Sequence, residues 1–279
     1  RELRIKTIRS SLMIEGNKLD EKTVTAIIDG KRVLGDIHDI LEVENAKRAY
    51  DLIPELNPHS IDDLLKAHRT MMDGLVPEAG RFRSGNVGVF DGDALIHAGT
   101  PAAYVPEVMA DIFGWLEKTS MHPLVASCIF HFEFEFCHPF SDGNGRTGRL
   151  WHTLLLSKWR PALAWLPIES TIRQRQAGYY EALAKSDAIG SSERFVEFML
   201  DVIRNSILPF SKPANEKELT RARALDFFRE RGDGSISRLA EHLGCSKRSA
   251  ERIVAGLKEE GSLARQGSAR SGIWIVHEN

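Results

Sequence analysis

The run His138-Pro-Phe140-Ser-Asp142-Gly143-Asn144-Gly145-Arg146-Thr-Gly-Arg149 gathers a proton acceptor, a hard oxygen ligand, a glycine-rich turn and two guanidiniums. That set suits phosphoryl-group chemistry on a nucleotide. Pro139 disfavours helical geometry at the residue before it, so a helix arriving from Leu124 is expected to stop at His138. At a helix C-terminus the macrodipole stabilises imidazolium and makes the ring a better proton acceptor. A second helix, expected from about Asn144, places Gly143-Asn144-Gly145 at its N-terminus. Backbone N–H groups there, with glycines that tolerate positive φ, form an anion pocket. Arg146 and Arg149 lie three apart on one helical face and can grip phosphate oxygens. Asp142 precedes the pocket, where its carboxylate could hold a Mg²⁺ that also binds the phosphates. No P-loop lysine accompanies these glycines, which excludes Walker chemistry. The alternative is a plain interhelical loop with the arginines on a solvated face.

These residues need elements to position them. Leu124 to Cys137 is too densely apolar for one clean face and reads as a largely buried helix. His131, Glu133 and Glu135 within it do not have zinc-site spacing, because alternate residues on a helix do not converge. Ile5, Ile8 and Leu12 form an apolar stripe near the N-terminus, and Ser11 and Glu15 share a face four residues apart. Gly16-Asn17 is a helix stop, so Glu15 falls in the last turn, where an acidic side chain is disfavoured by about 0.3–1 kcal/mol. A carboxylate at that end points to a compensating cation elsewhere. Arg83 to Phe90 and Leu95 to His97, joined through Gly92, predict a β-hairpin. Glu42, Glu44 and Asn45 read as a solvated or core-bracing face, and Trp115, Trp151, Trp159 and Trp165 as core aromatics.

The signature resembles that of the Fic family, His-x-Phe-x-Asp/Glu-Gly-Asn-Gly-Arg-x-x-Arg. It matches at His138, Phe140, Asp142, Gly143, Asn144, Gly145, Arg146 and Arg149. The resemblance implies that His138 is the general base activating a Ser, Thr or Tyr hydroxyl of a target protein, with self-modification an open variant. It further implies that Asp142 ligates Mg²⁺, that Gly143, Asn144, Gly145, Arg146 and Arg149 hold ATP, and that the product is an AMP-modified protein with pyrophosphate. The 83–97 segment resembles the Fic flap, in which Val87, Gly88, Val89 and Phe90 would dock a target strand by strand addition. Tyr179-Tyr180 resembles the tyrosine pair beside the adenine. Adjacent residues point to different sides of a helix, so at most one of the two is expected to face the base. Asp187 stands where family members often carry Asn. Ser11-x-x-x-Glu15-Gly16 resembles the family's inhibitory motif, which implies that Glu15 pairs with Arg149 and blocks productive placement of the ATP γ-phosphate. Glu15 positioning water to remove AMP is the open alternative.

Two prolines interrupt the apolar periodicity between Leu208 and Asn215. Beyond them, a helix from about Glu216, a short amphipathic helix at 237–244 and a third from Lys247, capped by Ser246, precede two short strands around 262–265 and 273–276. This order resembles a winged helix-turn-helix, which implies DNA contact through Lys247, Arg248 and Arg252, with Arg265 and Arg270 on the wing. An interaction or dimerisation module is the alternative. The expected fold is therefore mainly α: an inhibitory helix in 1–20, a Fic helical core with a β-hairpin flap in 21–207, a linker at 208–218 and a winged helix in 219–279.

A net charge of −2 argues against a generally polyanion-binding surface, although a local basic patch remains open. Three cysteines do not make a disulfide framework, and no signal-peptide or 18-residue apolar run is legible. A cytoplasmic setting without membrane contact is expected, with a homodimer left open. Two rival readings stand beside AMP transfer. One is a DNA-binding regulator whose Fic core senses a nucleotide, and the other is a Fic enzyme using another nucleotide donor.

Overall fold

The computed structural model describes residues 1–91, 94–210, 216–232, 235–267 and 272–277. They form two compact units, Arg1–Leu208 and Pro209–Asn279. The first holds α1 (Glu2–Ile14), α2 (Glu21–Ile28), α3 (Ile37–Asp51), α4 (Ile61–Met71), the strands β1 (Gly88–Asp91) and β2 (Ala94–Ala98), α5 (Val105–Lys118), α6 (Pro123–Cys137), α7 (Asn144–Trp159), α8 (Ile168–Gln174), α9 (Gln176–Ile189) and α10 (Glu193–Ile207). Short polar residues start several of these helices by accepting backbone N–H groups that have no helical partner. Asp20 accepts from Thr23, Asp36 from His38, and Ser60 from Asp63.

The centre is the helical pair α6 and α7, packed together along their lengths. The aromatic run of α6 is dense because the helix is enclosed: Phe130 and Phe134 are fully buried, as are Leu150, Trp151 and Leu154 of α7. Pro123 opens α6 at its first position, where a missing N–H costs nothing, and Pro139 lies just past its end. In the connecting loop, Phe140 is fully buried and stacks flat on His68 of α4, with ring centroids 3.6 Å apart and planes 4° from parallel.

α1 is built into the same core. Ile5, Ile8 and Leu12 are buried, and the helix packs on α2, α3, α7 and α8. Ser10 Oγ meets Ser170 Oγ at 2.9 Å, and the Gln176 amide donates to the Ile14 carbonyl at 3.1 Å. Of the four tryptophans expected in the core, Trp151 is fully buried, but Trp165 is half exposed. Trp165 lies in a short 3₁₀ segment after α7, with the Arg4 guanidinium 4.9 Å from its ring centroid, so a cation and solvent cover it rather than apolar side chains.

β1 and β2 pair antiparallel, with a register shift between Val89 and Phe90 that marks a bulge. Gly92 and Asp93, the expected loop, lie outside the described residues, and so do the side chains of residues 89–98. The second unit contains α11 (Glu216–Glu230), α12 (Ile236–Leu243), α13 (Lys247–Glu259) and an antiparallel ladder of β3 (Leu263–Gln266) with β4 (Ile273–Val276). Ser235 and Ser246 cap α12 and α13, and Phe228, Leu239, Ala250, Leu263 and Trp274 form its core. Arg270 lies outside the described residues. No helix among the described residues is long and apolar enough to cross a membrane.

Phe140 locks the loop that carries the signature, so Phe140→Ala should lower unfolding stability in urea by about 3–5 kcal/mol. A loss below roughly 1 kcal/mol would show that the loop is held mainly by its hydrogen bonds.

Candidate active site

α6 ends at Cys137, and His138 follows in the left-handed region, at φ 51° and ψ 61°. It is the one non-glycine residue with positive φ among the described residues. Such a conformation is costly for a residue with a Cβ and persists only where the surroundings enforce it. Here the His138 N–H donates to Phe134, closing α6, and its carbonyl accepts from Arg83 Nε at 2.7 Å. The imidazole Nδ1 lies 3.4 Å from the Glu135 carbonyl. A carbonyl can only accept, so this contact favours the Nδ1–H tautomer and leaves Nε2 as the basic nitrogen.

The loop is fixed from several sides. Asn144 does not point outward: its amide accepts from the Phe140 N–H and donates to the Phe140 carbonyl, both at 2.9 Å. The His68 ring accepts the Gly80 N–H at Nδ1, so Nε2 carries the proton and donates to the Asp142 carbonyl at 2.9 Å. Burial pushes the His68 pKa down to about 4, which keeps that tautomer neutral. Nothing in the sequence singled out His68, a lone histidine on an apolar helix face. Gly143 has φ 80°, and a Cβ there would sit 2.5 Å from Met72 Sδ. Glycine is required on both counts.

α7 then begins, and its first-turn N–H groups have no acceptors within the helix. Gly145 lets this turn approach an ion pair, since a Cβ at Gly145 would fall 2.5 Å from Glu15 Oε1 and 2.9 Å from Arg149 Nη1. Arg149 is buried, and α1 surrounds its guanidinium. Nε donates to Ser11 Oγ at 3.1 Å, and Nη2 donates to the Ser11 carbonyl at 3.1 Å and to Glu15 Oε1 at 2.6 Å. Burial opposes the charge, but Glu15, together with Tyr179 and Glu135, more than offsets it, so Arg149 binds its proton more firmly than an ordinary guanidinium. Glu15 itself is partly exposed, at 29% of its side-chain surface.

Arg146 is placed differently from Arg149. The sequence reading had both arginines on phosphate, but Arg146 Nη1 meets Glu42 Oε1 at 2.6 Å and Nη2 meets Asp142 Oδ1 at 3.1 Å, and its side chain does not line the cavity. Glu42 is the buried brace, and it also accepts from the Asn17 amide at 2.8 Å, tying the end of α1 to α7. His38 and Asp39 lie close enough to Glu42 to suggest a metal centre, but Glu42 is committed to Arg146 and Asn17. Asp142 is 56% exposed at its side chain and also accepts the Gly143 N–H. It is an accessible hard oxygen donor beside the first turn of α7, which fits Mg²⁺.

Between these groups lies a cavity of about 230 Å³. Glu15, Glu135, His138, Gly145 and Arg149 line it together with Phe132, Phe136, Tyr179, Tyr180, Leu183 and Asp187. Both tyrosines contribute to this lining. Tyr179 is buried with its hydroxyl 3.1 Å from His131 Nε2, while Tyr180 is half exposed with its ring plane 69° from that of Tyr179. The β2 backbone runs beside α9, which carries both tyrosines. Val87 and Gly88 are partly exposed, and the Val87 carbonyl accepts the Gly99 N–H at the hairpin stem.

Glu135, which the sequence offers only as a non-converging neighbour of His131 and Glu133, also lines the cavity. Its Oε1 is buried without a hydrogen-bond partner, 3.6 Å from His131 Nε2. Burial pushes its pKa from the ordinary 4.5 up to about 7, tempered by His138 and Arg149. A carboxyl raised in this way stabilises the fold below about pH 4.5, and that stabilisation is lost as pH rises through about 7. Glu135→Gln should therefore be more stable than the parent at pH 8 by roughly 1–3 kcal/mol, with the gap closing toward pH 5. Chemical denaturation across that range checks this, and parallel pH profiles for the two proteins would refute it.

The profile of the Fic/DOC family matches residues 58–156. Protein adenylyltransferase fic-1 of Caenorhabditis briggsae is 31% identical over 205 residues, covering 68% of this chain and 38% of that protein. Protein adenylyltransferase Fic of Nematostella vectensis is 29% identical over 204 residues, covering 69% and 45%. The chain thus spans less than half the length of these curated relatives. Among solved structures, a Fic family protein from Desulfovibrio desulfuricans G20 aligns over 100% of this chain and 87% of its own, at 44% identity and a TM-score of 0.73. With that identity over nearly the whole of both chains, and the signature seated between α6 and α7, this chain belongs to the Fic family.

Proposed function

We propose that this chain transfers AMP from ATP to a hydroxyl of a target protein and is held low at rest by Glu15. The observation that carries this reading is one cavity lined by His138, by Gly145 in the first turn of α7, by Arg149 and by aromatic side chains. The polar groups suit a triphosphate and the aromatic ones a base. The relatives named as protein adenylyltransferases support the same chemistry.

In this reaction His138 Nε2 takes the proton of the target hydroxyl as its oxygen bonds to the α-phosphorus. The bond from that phosphorus to the bridging oxygen breaks, and pyrophosphate leaves. The Gly143–Arg146 turn orients the phosphates through its N–H groups. Arg149 offers a fully desolvated positive charge to the end of the chain, and Arg146 acts by holding Asp142 in place. A Mg²⁺ held by Asp142 would neutralise phosphate charge. The hairpin edge at Val87 and Gly88, continuing through Val89 and Phe90, would hold the target by backbone pairing.

Glu15 supports the restraint in two ways. It occupies the hydrogen-bonding fork that Arg149 would turn toward a phosphate. It also stands in the wall of a cavity of about 230 Å³, below the roughly 300–1,000 Å³ usual for small-molecule sites. Glu15→Gly should raise label transfer from α-labelled ATP with Mg²⁺, to itself or to lysate proteins, by roughly tenfold or more. His138→Ala in the same background should abolish it. Equal labelling by Glu15→Gly and the parent, both folded and binding ATP, would contradict the restraint. Competition by GTP, UTP and CTP reports the donor.

A second reading concerns the 209–279 unit, where the exposed face at the start of α13 carries Lys247, Arg248 and Arg252, while Ala250, Val254 and Leu257 are buried. We propose that this face contacts duplex DNA. Lys247→Ala with Arg248→Ala should weaken duplex binding and flatten its salt dependence by about two in slope. Binding that is unchanged, or absent in the parent, would refute it.

A further inference from the structure

Arg83, on the approach to the hairpin, is 97% buried by its relative exposure of 3%, and the acceptors around its guanidinium are main-chain carbonyls. Nε donates to His138 at 2.7 Å, Nη1 to Gly85 at 2.8 Å, and Nη2 to Cys137 at 3.3 Å and to Thr100 at a closer approach. Its own N–H donates to Pro139 at 3.0 Å. One side chain therefore joins three places: the C-terminus of α6, the incoming stem of the flap at Gly85 and the outgoing stem at Thr100. Packing repeats the connection. A Cβ on Gly99 would sit 3.1 Å from Arg83 Nη2 and 3.4 Å from both His138 Cβ and Val87 Cγ2, so the stem at Gly99 packs closely against all three groups.

The chemistry of the guanidinium explains why arginine stands here. The last carbonyls of α6 have no helical partners and carry the negative end of the helix dipole. A planar fork with five N–H donors can satisfy carbonyls on three segments at once, which an ammonium on a flexible stem cannot do. His138 needs such support, because its positive φ is maintained only by its surroundings.

We propose that Arg83 is the positioning residue that couples the flap to His138, so that a target strand docked on the flap edge and the imidazole that deprotonates it form one rigid unit. This rests on the reading of His138 as the base. The coupling itself is structural and is readable without turnover. The direct contacts of Arg83 are with the α6 end and the flap stems, whereas the phosphates are read by α7. Loss of Arg83 should accordingly lower transfer while ATP affinity holds.

Native-state hydrogen exchange on the unsubstituted chain gives the first test. The Arg83 and Gly99 amides, which bond to Pro139 and Val87, should open with the same free energy and the same urea dependence. Different opening free energies would overturn the proposal, and this arm needs no variant to fold. The second test uses Arg83→Lys and Asn86→Ala, each in the Glu15→Gly chain. Asn86 Oδ1 accepts the Ala102 N–H at 2.9 Å, so its loss loosens the stem without touching α6. Arg83→Lys should shift the His138 ring resonances, speed exchange at Gly99 by about tenfold, leave ATP affinity unchanged and lower AMP transfer by roughly 100-fold. Asn86→Ala should speed stem exchange while leaving the His138 resonances in place. Unshifted His138 resonances in Arg83→Lys, or an equal shift in Asn86→Ala, would overturn the coupling. If the Glu15→Gly parent transfers no label, the enzymatic reading fails, while exchange and resonances still decide the coupling.

Discussion

A fully desolvated guanidinium must have an anion beside it, and the arrangement around Arg149 follows from that requirement. Removing one partner of a buried pair leaves an uncompensated charge at a cost of about 3–5 kcal/mol. The chain supplies Glu15 from the end of α1, with the Ser11 hydroxyl and carbonyl taking further N–H groups. The anion is replaceable because Glu15 is partly exposed at a helix end, whereas Arg149 is rooted in α7. Under the proposed function, an incoming phosphate would offer the same charge to the same fork. In this structure the guanidinium is paired with a carboxylate of its own chain.

The way α1 is anchored limits how that carboxylate can leave. Ile5, Ile8 and Leu12 are buried in the main core, and undocking them would forfeit about 1.5–3 kcal/mol for each side chain. Swinging Glu15 alone breaks one ion pair and opens the cavity wall. Relief through the side chain therefore costs less than release of the helix. The brace from Glu42 to both Asn17 and Arg146 ties the α1 end to α7 without Glu15.

Much of this was legible in the sequence because it is written in local chemistry. Pro139 ends α6, Gly143 permits the turn into α7, and the apolar spacing of Ile5, Ile8 and Leu12 marks the buried face of α1. What escaped depends on contacts between segments far apart in the chain. His68 supports Asp142 across 74 positions, and Arg83 reaches His138 across 55. Helical spacing puts Arg146 and Arg149 on one face but cannot say that Glu42, about a hundred residues earlier, claims the first of them. Glu135 looked like one acidic residue in an aromatic run, and only its burial beside the cavity gives it a raised pKa. Trp165 was assigned to the core by residue type alone, and the 3₁₀ segment that carries it sits at the surface.

The central claim is that Glu15 and a nucleotide phosphate compete for one buried guanidinium. A cycle of ATP affinities by calorimetry on the parent, Glu15→Gly, Arg149→Met and the double variant addresses it most directly. With Arg149 present, removal of Glu15 should strengthen ATP binding by roughly tenfold or more. With Arg149 replaced by Met, the same removal should give a clearly smaller gain, limited to the space that Glu15 vacates, and the difference is the coupling. An equal gain in both backgrounds would mean that Glu15 acts only by filling space, and the competition would be disproved.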